Sequence, residues 1–215
     1  MASYRNRITA TPVALHEYQK ETNMENIEIE IPMQVLDAAT ICTAVKDVRF
    51  YLNGVAINKG HVVSTDGHRA FACKIDGLDE NLEVIIPTEA VKAFIKKVPS
   101  KNRKGHCTIV VDRNARQGKI SNFPLQVHEL FIPIDGKFPD WQRIFPKDVP
   151  SEYQGYYPTF NWAYMTDFQK IHKALGGNGV QVGLRPKSVS EAALVDFDGT
   201  LFDHHAKGVI MPLRG

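Results

Sequence analysis

The chain has 215 residues, 43% of them hydrophobic and 23% charged, with a formal net charge of +2. That is enough chain for one or two domains with a real core, and too even a charge balance for a protein that coats nucleic acid, so any DNA contact must come from local clusters of Lys and Arg. No apolar run approaches the roughly 18–20 residues of a membrane helix, and no apolar signal-peptide core opens the chain. The three cysteines, Cys42, Cys73 and Cys107, show no C-x-x-C spacing. Zinc and a disulfide framework are therefore not suggested, and a cytoplasmic protein with no metal, no cofactor and no membrane partner is expected.

Residues 1–24 carry Arg5, Arg7 and Lys20 among scattered polar residues without a period. They read as a loosely attached N-terminal arm. From Asn26 a pattern begins and recurs: an extended run, then an amphipathic helix, then three short extended segments. The first copy opens with Ile27–Pro32 and a helix over Met33–Val45, in which Val35, Leu36, Ala39 and Cys42 share a face. Its extended segments are predicted at 48–58, 61–65 and 70–75. The second copy opens with Leu82–Pro87 and a helix over Thr88–Val98. Val91, Phe94, Ile95 and Val98 there have strong helical spacing. Its segments are Cys107–Asp112, Gly118–Ser121 and Val127–Ile134. The third copy is looser, with Tyr156–Phe160 as its extended run and a helix over Asn161–Leu175. Tyr164, Phe168, Ile171 and Leu175 form its stripe, and Gly176-Gly177 follows as a C-cap. Its segments are Val180–Arg185, Ala192–Asp198 and Ala206–Met211. Three strand–helix–three-strand units imply antiparallel sheets with the helices collected on one face, an α+β fold.

Two stretches of the first copy draw the chemistry together. Asp47–Gly54 alternates Val48, Phe50 and Leu52 with Arg49, Tyr51 and Asn53, which reads as a half-buried strand. In Ser64-Thr-Asp-Gly-His-Arg-Ala70, Asp66-Gly67 lies between two extended runs and signals a tight turn. His68 and Arg69 follow it at once. One His beside one Arg, without a nucleophile or metal-ligand spacing, favours binding over catalysis.

Near the other end, Ala193-Leu-Val-Asp-Phe-Asp-Gly-Thr-Leu-Phe-Asp203 looks like the first motif of haloacid-dehalogenase phosphatases, with Asp196 as nucleophile and Asp198 as acid/base around Mg²⁺. The context argues against an enzyme. No parallel βαβ pattern leads into the motif and only a dozen residues follow it. A hairpin turning at Asp198-Gly199 is the simpler expectation.

The run DVRFYLNG (47–54) with STDGHRA (64–70) resembles the middle domain of the bacterial DNA polymerase III beta subunit, the sliding clamp, which carries "DVRYYLNG…ATDGHRLA". DGKFPDWQRIFP (135–146) is similar to the clamp's "DGRFPDYRRVLP", and VIMPLRG (209–215) to its terminal "VVMPMRL". The resemblance implies a DNA clamp fold, with a clamp middle-type domain over 25–146 and the second half of a C-terminal-type domain over 147–215. It implies a shortened variant, which suggests a phage or prophage setting. A clamp ring uses twelve units, so three per chain would need four chains, and the orphan half would expose a sheet edge or apolar face that another copy covers. A homo-oligomer is the expectation.

By motif, the resemblance gives a pocket for short linear peptides of DNA polymerase and other replication proteins. Its residues would be Leu52, Thr65, Gly67, His68, Arg69, Pro139, Arg143, Ile144, Val209, Met211, Pro212, Leu213 and Arg214. Ala70 and Gly215 depart from the family pattern. The resemblance also turns helix faces toward double-stranded DNA without reading its sequence. That places Lys92, Lys96 and Lys97 of the second helix, Lys170 and Lys173 of the third, and Lys46 and Tyr51 in a loop near phosphate. The implied role is a processivity factor that tethers replication proteins to DNA. The alternative is a mimic without a ring that sequesters the same partners.

Overall fold

The computed structural model describes residues 26–112, 114–179, 182–197 and 206–214. Among the described residues, eleven strands and three α-helices follow one another in chain order. The first unit comprises β1 (Asn26–Pro32), α1 (Met33–Ala39), β2 (Gly54–Asn58), β3 (His61–Thr65) and β4 (Arg69–Lys74). The second comprises β5 (Glu83–Pro87), α2 (Thr88–Lys97), β6 (His106–Asp112), β7 (Gln117–Asn122) and β8 (Val127–Phe131). The third comprises α3 (Trp162–Ala174), β9 (Gly183–Arg185), β10 (Ala193–Asp196) and β11 (Ala206–Ile210). The expected turn at Asp198-Gly199, the acidic residues Asp198 and Asp203, and the N-terminal arm lie outside the described residues. Among the described residues, no helix is long and apolar enough to cross a membrane.

The first two units exchange their opening strands. β1 pairs antiparallel with β6 and completes the sheet β1-β6-β7-β8. β5 pairs antiparallel with β2. The exchange is stitched by the first amide of each helix. Met33 N donates to Gly105 O (3.0 Å) and Thr88 N donates to Asn53 O (3.1 Å). Each acceptor immediately precedes the opening residue of a strand of the other unit, β6 or β2. Pro32 and Pro87 each stand just before a helix, where a missing N–H costs nothing.

The third unit joins the first differently. β11 pairs antiparallel with β4, from Ala206 opposite Cys73 to Ile210 opposite Arg69. One seven-stranded sheet results, in the order β5-β2-β3-β4-β11-β10-β9. α1 packs between α2 and α3, so the helices form one layer over the sheets. Ile31, Leu36, Phe71, Phe94, Ile109, Phe168 and Ile171 belong to a single apolar cluster between them. Burial raises the thiols of Cys73 and Cys107 to about 12 and that of Cys42 further. The cysteines act as small apolar core residues.

The structure corrects three expectations. Asp47–Gly54 is not a strand: Phe50–Leu52 forms a 3-10 turn and β2 starts at Gly54. Val48 is 94% exposed and Phe50 54%. The cause is local hydrogen bonding that competes with a ladder. Asp47 accepts from the amide and guanidinium of Arg49, Asn53 bonds the Asp47 backbone through both its side-chain groups, and Leu52 N donates to Arg49 O. The first helix ends at Ala39 rather than Val45. The Thr40 and Thr43 hydroxyls donate to the carbonyls three residues earlier and close the chain into turns, yet Cys42 stays buried. The run Tyr156–Phe160 forms no strand.

Candidate functional site

The site lies where the third unit meets the first. Its floor is the β4–β11 junction, where Val209 stands opposite Ala70. The turn before β4 is fixed by its own polar atoms. Thr65 Oγ1 donates to Arg69 O (2.8 Å) and accepts from Gly67 N (3.0 Å). Asp66 Oδ1 accepts from the amides of His68 (2.8 Å) and Arg69 (3.0 Å). Gly67 sits at φ +91°, a conformation that a side chain would strain. Met211 N donates to His68 O (2.8 Å), which carries the chain after β11 along the rim of the turn.

Arg69 is the strut of this junction. Its guanidinium pairs with Asp66 (3.1 Å) and with Asp167 of α3, donates to Ile41 O (3.1 Å), and lies 4.6 Å from the Tyr164 ring centroid. The His68 ring stacks on the same Tyr164 at 5.9 Å. Burial pulls the Asp167 carboxyl upward, but hydrogen bonds and charge from Arg69 and Lys170 outweigh it and leave the group below its ordinary value. Burial likewise opposes the charged form of Arg69, and the groups around it, the Asp167 hydrogen bond first and Cys42 and Asp66 with it, together more than offset that.

Between these walls opens a pocket of about 190 Å³. Of the residues expected from sequence, Leu52, Thr65, Gly67, His68, Arg69, Pro139, Ile144, Val209 and Met211 line it. Leu52 and Val209 are each 2% exposed, whereas Ile144 (40%) and Met211 (39%) present apolar surface at the mouth. The residues Arg143, Pro212, Leu213 and Arg214 do not line it. Arg143 points to solvent beside Asp140 (3.5 Å). Leu213 is 52% exposed and its amide bonds Thr159 O. Arg49, Tyr51, Ala70, Asp140, Trp141 and Ala192 complete the lining. Tyr51, expected in a loop near phosphate, stands in the pocket wall. Trp141 and Asp140 flank expected positions in the DGKFPDWQRIFP run, so that run carried their signal. Ala192 had none, because it arrives with the loop before β10. An apolar cleft with a few fixed polar groups suits an extended peptide with apolar side chains. Exposed Met and Ile at the mouth can adapt to such side chains.

Trp141 also forms the wall of a second, more open hollow. It donates to Asn58 Oδ1 (3.0 Å) and packs 4.9 Å from the His61 ring. The hollow, about 610 Å³, is lined by His61, Phe145, Lys74, Lys147 and Lys207 among others. His61 is held below its ordinary value, by burial first.

The lysines expected to face DNA lie on the helix layer and its loops. Lys92, Lys96, Lys97, Lys170 and Lys173 are exposed, as is Lys46, at φ +53° in the loop after α1. Lys97 is paired with Glu129 (2.6 Å) and Lys170 with Asp167 (2.6 Å). Asp196 lies in β10 between antiparallel neighbours and is ion-paired with Arg185. The parallel sheet that a haloacid-dehalogenase site needs is missing there. Among the described residues, no group of His, Cys, Asp and Glu could hold a metal ion.

No family model matches the chain. It is 27% identical over 172 residues to the beta sliding clamp of Haemophilus influenzae, covering 74% of this chain and 44% of that protein. The chain therefore spans less than half the length of this curated relative. The solved DNA polymerase sliding clamp of Pseudomonas aeruginosa superposes with a TM-score of 0.68 at 20% identity, over 88% of this chain and 67% of that one. A second Pseudomonas aeruginosa clamp structure, bound to griselimycin, gives 0.66 at 21% identity, over 88% and 66%. With two interlocked β-α-β-β-β units and an edge-joined α-β-β-β unit under one helix layer, this chain has the DNA clamp fold and is similar in sequence to the bacterial DNA polymerase III beta subunit, the beta sliding clamp.

Proposed function

We propose that the chain is a clamp-type processivity factor. It captures short linear peptides of replication proteins at the β4–β11 junction and holds them to double-stranded DNA through the lysines of its helix layer. The observation that carries this reading is the pocket itself. Residues from four separated stretches (Leu52, Thr65–Arg69, Pro139–Ile144 and Val209–Met211) converge on one apolar cleft. Leu52, Ile144 and Val209 could each be ordinary core residues; their convergence with a fixed turn and a deformable Met favours a binding site. On this reading residues 25–146 act as a middle-type domain and 147–215 as half of a C-terminal-type domain. The protein carries no catalytic step.

The test is binding of a fluorescent peptide of Gln-Leu-x-Leu-Phe type to the wild type and to Met211→Ala/Ile144→Ala. Saturable binding that the double variant loses, with its far-UV spectrum unchanged, supports the pocket. Absence of binding at tens of micromolar by folded wild type overturns it. A second reading, a mimic that takes the same peptides without holding them on DNA, shares the pocket and differs in DNA retention. Retention on nicked circular DNA but not on its linearised form would argue against the mimic.

A further inference from the structure

The third unit contains half of a joint whose other half is seen between the first two. In the second unit, β5 is flanked on both sides. β2 pairs along one edge, and Ile134 N donates to Ile85 O (2.9 Å) from the other. Ile134 comes three residues after β8 ends, and Ile85 two before Pro87, the residue that precedes α2. The third unit repeats this. Leu213 comes three residues after β11 ends and donates to Thr159 O (2.8 Å), and Thr159 is two before Asn161, the residue that precedes α3. The run ending at Asn161 is thus held on one side as β5 is, but among the described residues no strand plays the part of β2. The strand of the third unit equivalent to β2 is β9, which is the outermost strand of the seven-stranded sheet.

The first residue of each helix shows the same gap. Met33 and Thr88, sealed by the exchange, are 1% and 5% exposed; Trp162, at the same position of α3, is 82% exposed. Tyr156 and Tyr157 beside it are 91% and 74% exposed. A tryptophan left in water at the position that the other units bury is the kind of anchor an interface is built around.

We propose that this face is completed by a second copy of the chain, in a two-fold dimer through the third units. The run 157–161 of each copy pairs with β9 of the other, and Trp162 is buried in the joint. The occupant is a second copy because the exchange is reciprocal. A unit that offers, among the described residues, an open side of its opening run and an open outer edge of β9 is complementary to itself, as an isologous interface requires. Pro158 lacks an N–H and contributes only a carbonyl, so the ladder has one donor fewer. This inference does not rest on the peptide or DNA role.

The experiment is native mass and sedimentation of the full chain across the micromolar range, for wild type and Trp162→Asp. The expected result is an assembly with an even number of chains whose mass falls at least twofold in the variant, with Met211-dependent peptide binding or the far-UV spectrum retained as the check on folding. Hydrogen exchange on wild type alone is the second arm, independent of any variant: the amides of 183–185 and of 159–161 should gain protection as concentration rises. A wild type that stays monomeric at 100 µM overturns the proposal and leaves the face to a different polypeptide. An assembly indifferent to Trp162→Asp, with no concentration-dependent protection at β9, overturns it equally.

Discussion

The two joints inside this chain are made in different ways, and the proposed peptide pocket is at only one of them. The first and second units are interlocked: each donates its opening strand to the other's sheet, and each helix start is bonded to the other unit's backbone. The third unit meets the first edge to edge, through β4 and β11. There the side-chain link beside the ladder is polar, centred on Arg69, Asp167 and Tyr164. The exchange joint has a hollow of its own, about 280 Å³, lined by Ile27, Ile85, Val111, Arg116, Ile134 and Asp135 among others. A joint made by abutting edges leaves a seam, and the turn before β4 and the tail after β11 wall that seam into a pocket. The seam can therefore take a ligand without either unit unfolding.

That contrast predicts where damage spreads. Phe94 is fully buried in α2 within the shared cluster. Phe94→Ala should cost about 3–5 kcal/mol and lower the denaturation midpoint of the whole chain. Calorimetry would show one transition moved down, and a loss confined to the second unit would break the interlocked picture. Arg69→Ala should act locally. It strands Asp167 and removes the cation over Tyr164, at about 2–4 kcal/mol, below the range for a fully buried pair because both partners keep some contact with water. Limited proteolysis should then cut the third unit first while the first two resist.

The same strut gives a pH dependence. The Asp167 carboxyl titrates below its ordinary 3.8 in the folded chain. A depressed carboxylate contributes stability that is complete above the unfolded pKa and is lost as pH falls through the folded one. The junction should hold from neutral pH to near 4 and loosen below that, read as increased hydrogen exchange along β11. Asp167→Asn should start loosened and show no such acid step.

Much of this fold is legible in the sequence, because the repeat has strong periodic markers. The stripe Val91, Phe94, Ile95 and Val98 and the Pro before two of the helices fix the units, and Asp66-Gly67 fixes the turn. The exchange of β1 and β5 is not legible, since an extended run carries no label saying which sheet it joins. Asp47–Gly54 misleads for a definable reason: it alternates like a strand, but Asp47 and Asn53 can satisfy the loop backbone locally and do. The sequence marks Arg69 as a pocket residue, but it does not show that the partners Asp167 and Tyr164 come from almost 100 residues downstream.

The pocket itself allows a separation of binding from stability. Met211 is 39% exposed, so Met211→Ala should leave the melting temperature nearly unchanged. Peptide affinity should fall about tenfold, which corresponds to about 1.4 kcal/mol of binding. A variant that lost stability in the same proportion would mean that Met211 supports the seam rather than lining it for a ligand.

The smallest effect separates the lysines from one another. Lys97 and Lys170 already have carboxylate partners at 2.6 Å, while Lys92 and Lys96 are exposed on the same helix layer. A cation already paired has less to gain from a phosphate, since it must first give up its carboxylate. Lys92→Gln/Lys96→Gln should therefore weaken non-specific DNA binding more than Lys97→Gln/Lys170→Gln, and removing each phosphate-binding lysine should flatten the slope of log affinity against log salt by about 1. Peptide binding should be untouched in both pairs, because none of these lysines lines the seam. Equal losses in both pairs would point to the net charge of the layer acting as a whole. No loss in either would remove this face from DNA and turn attention to Lys74, Lys147 and Lys207 around the open hollow beside Trp141.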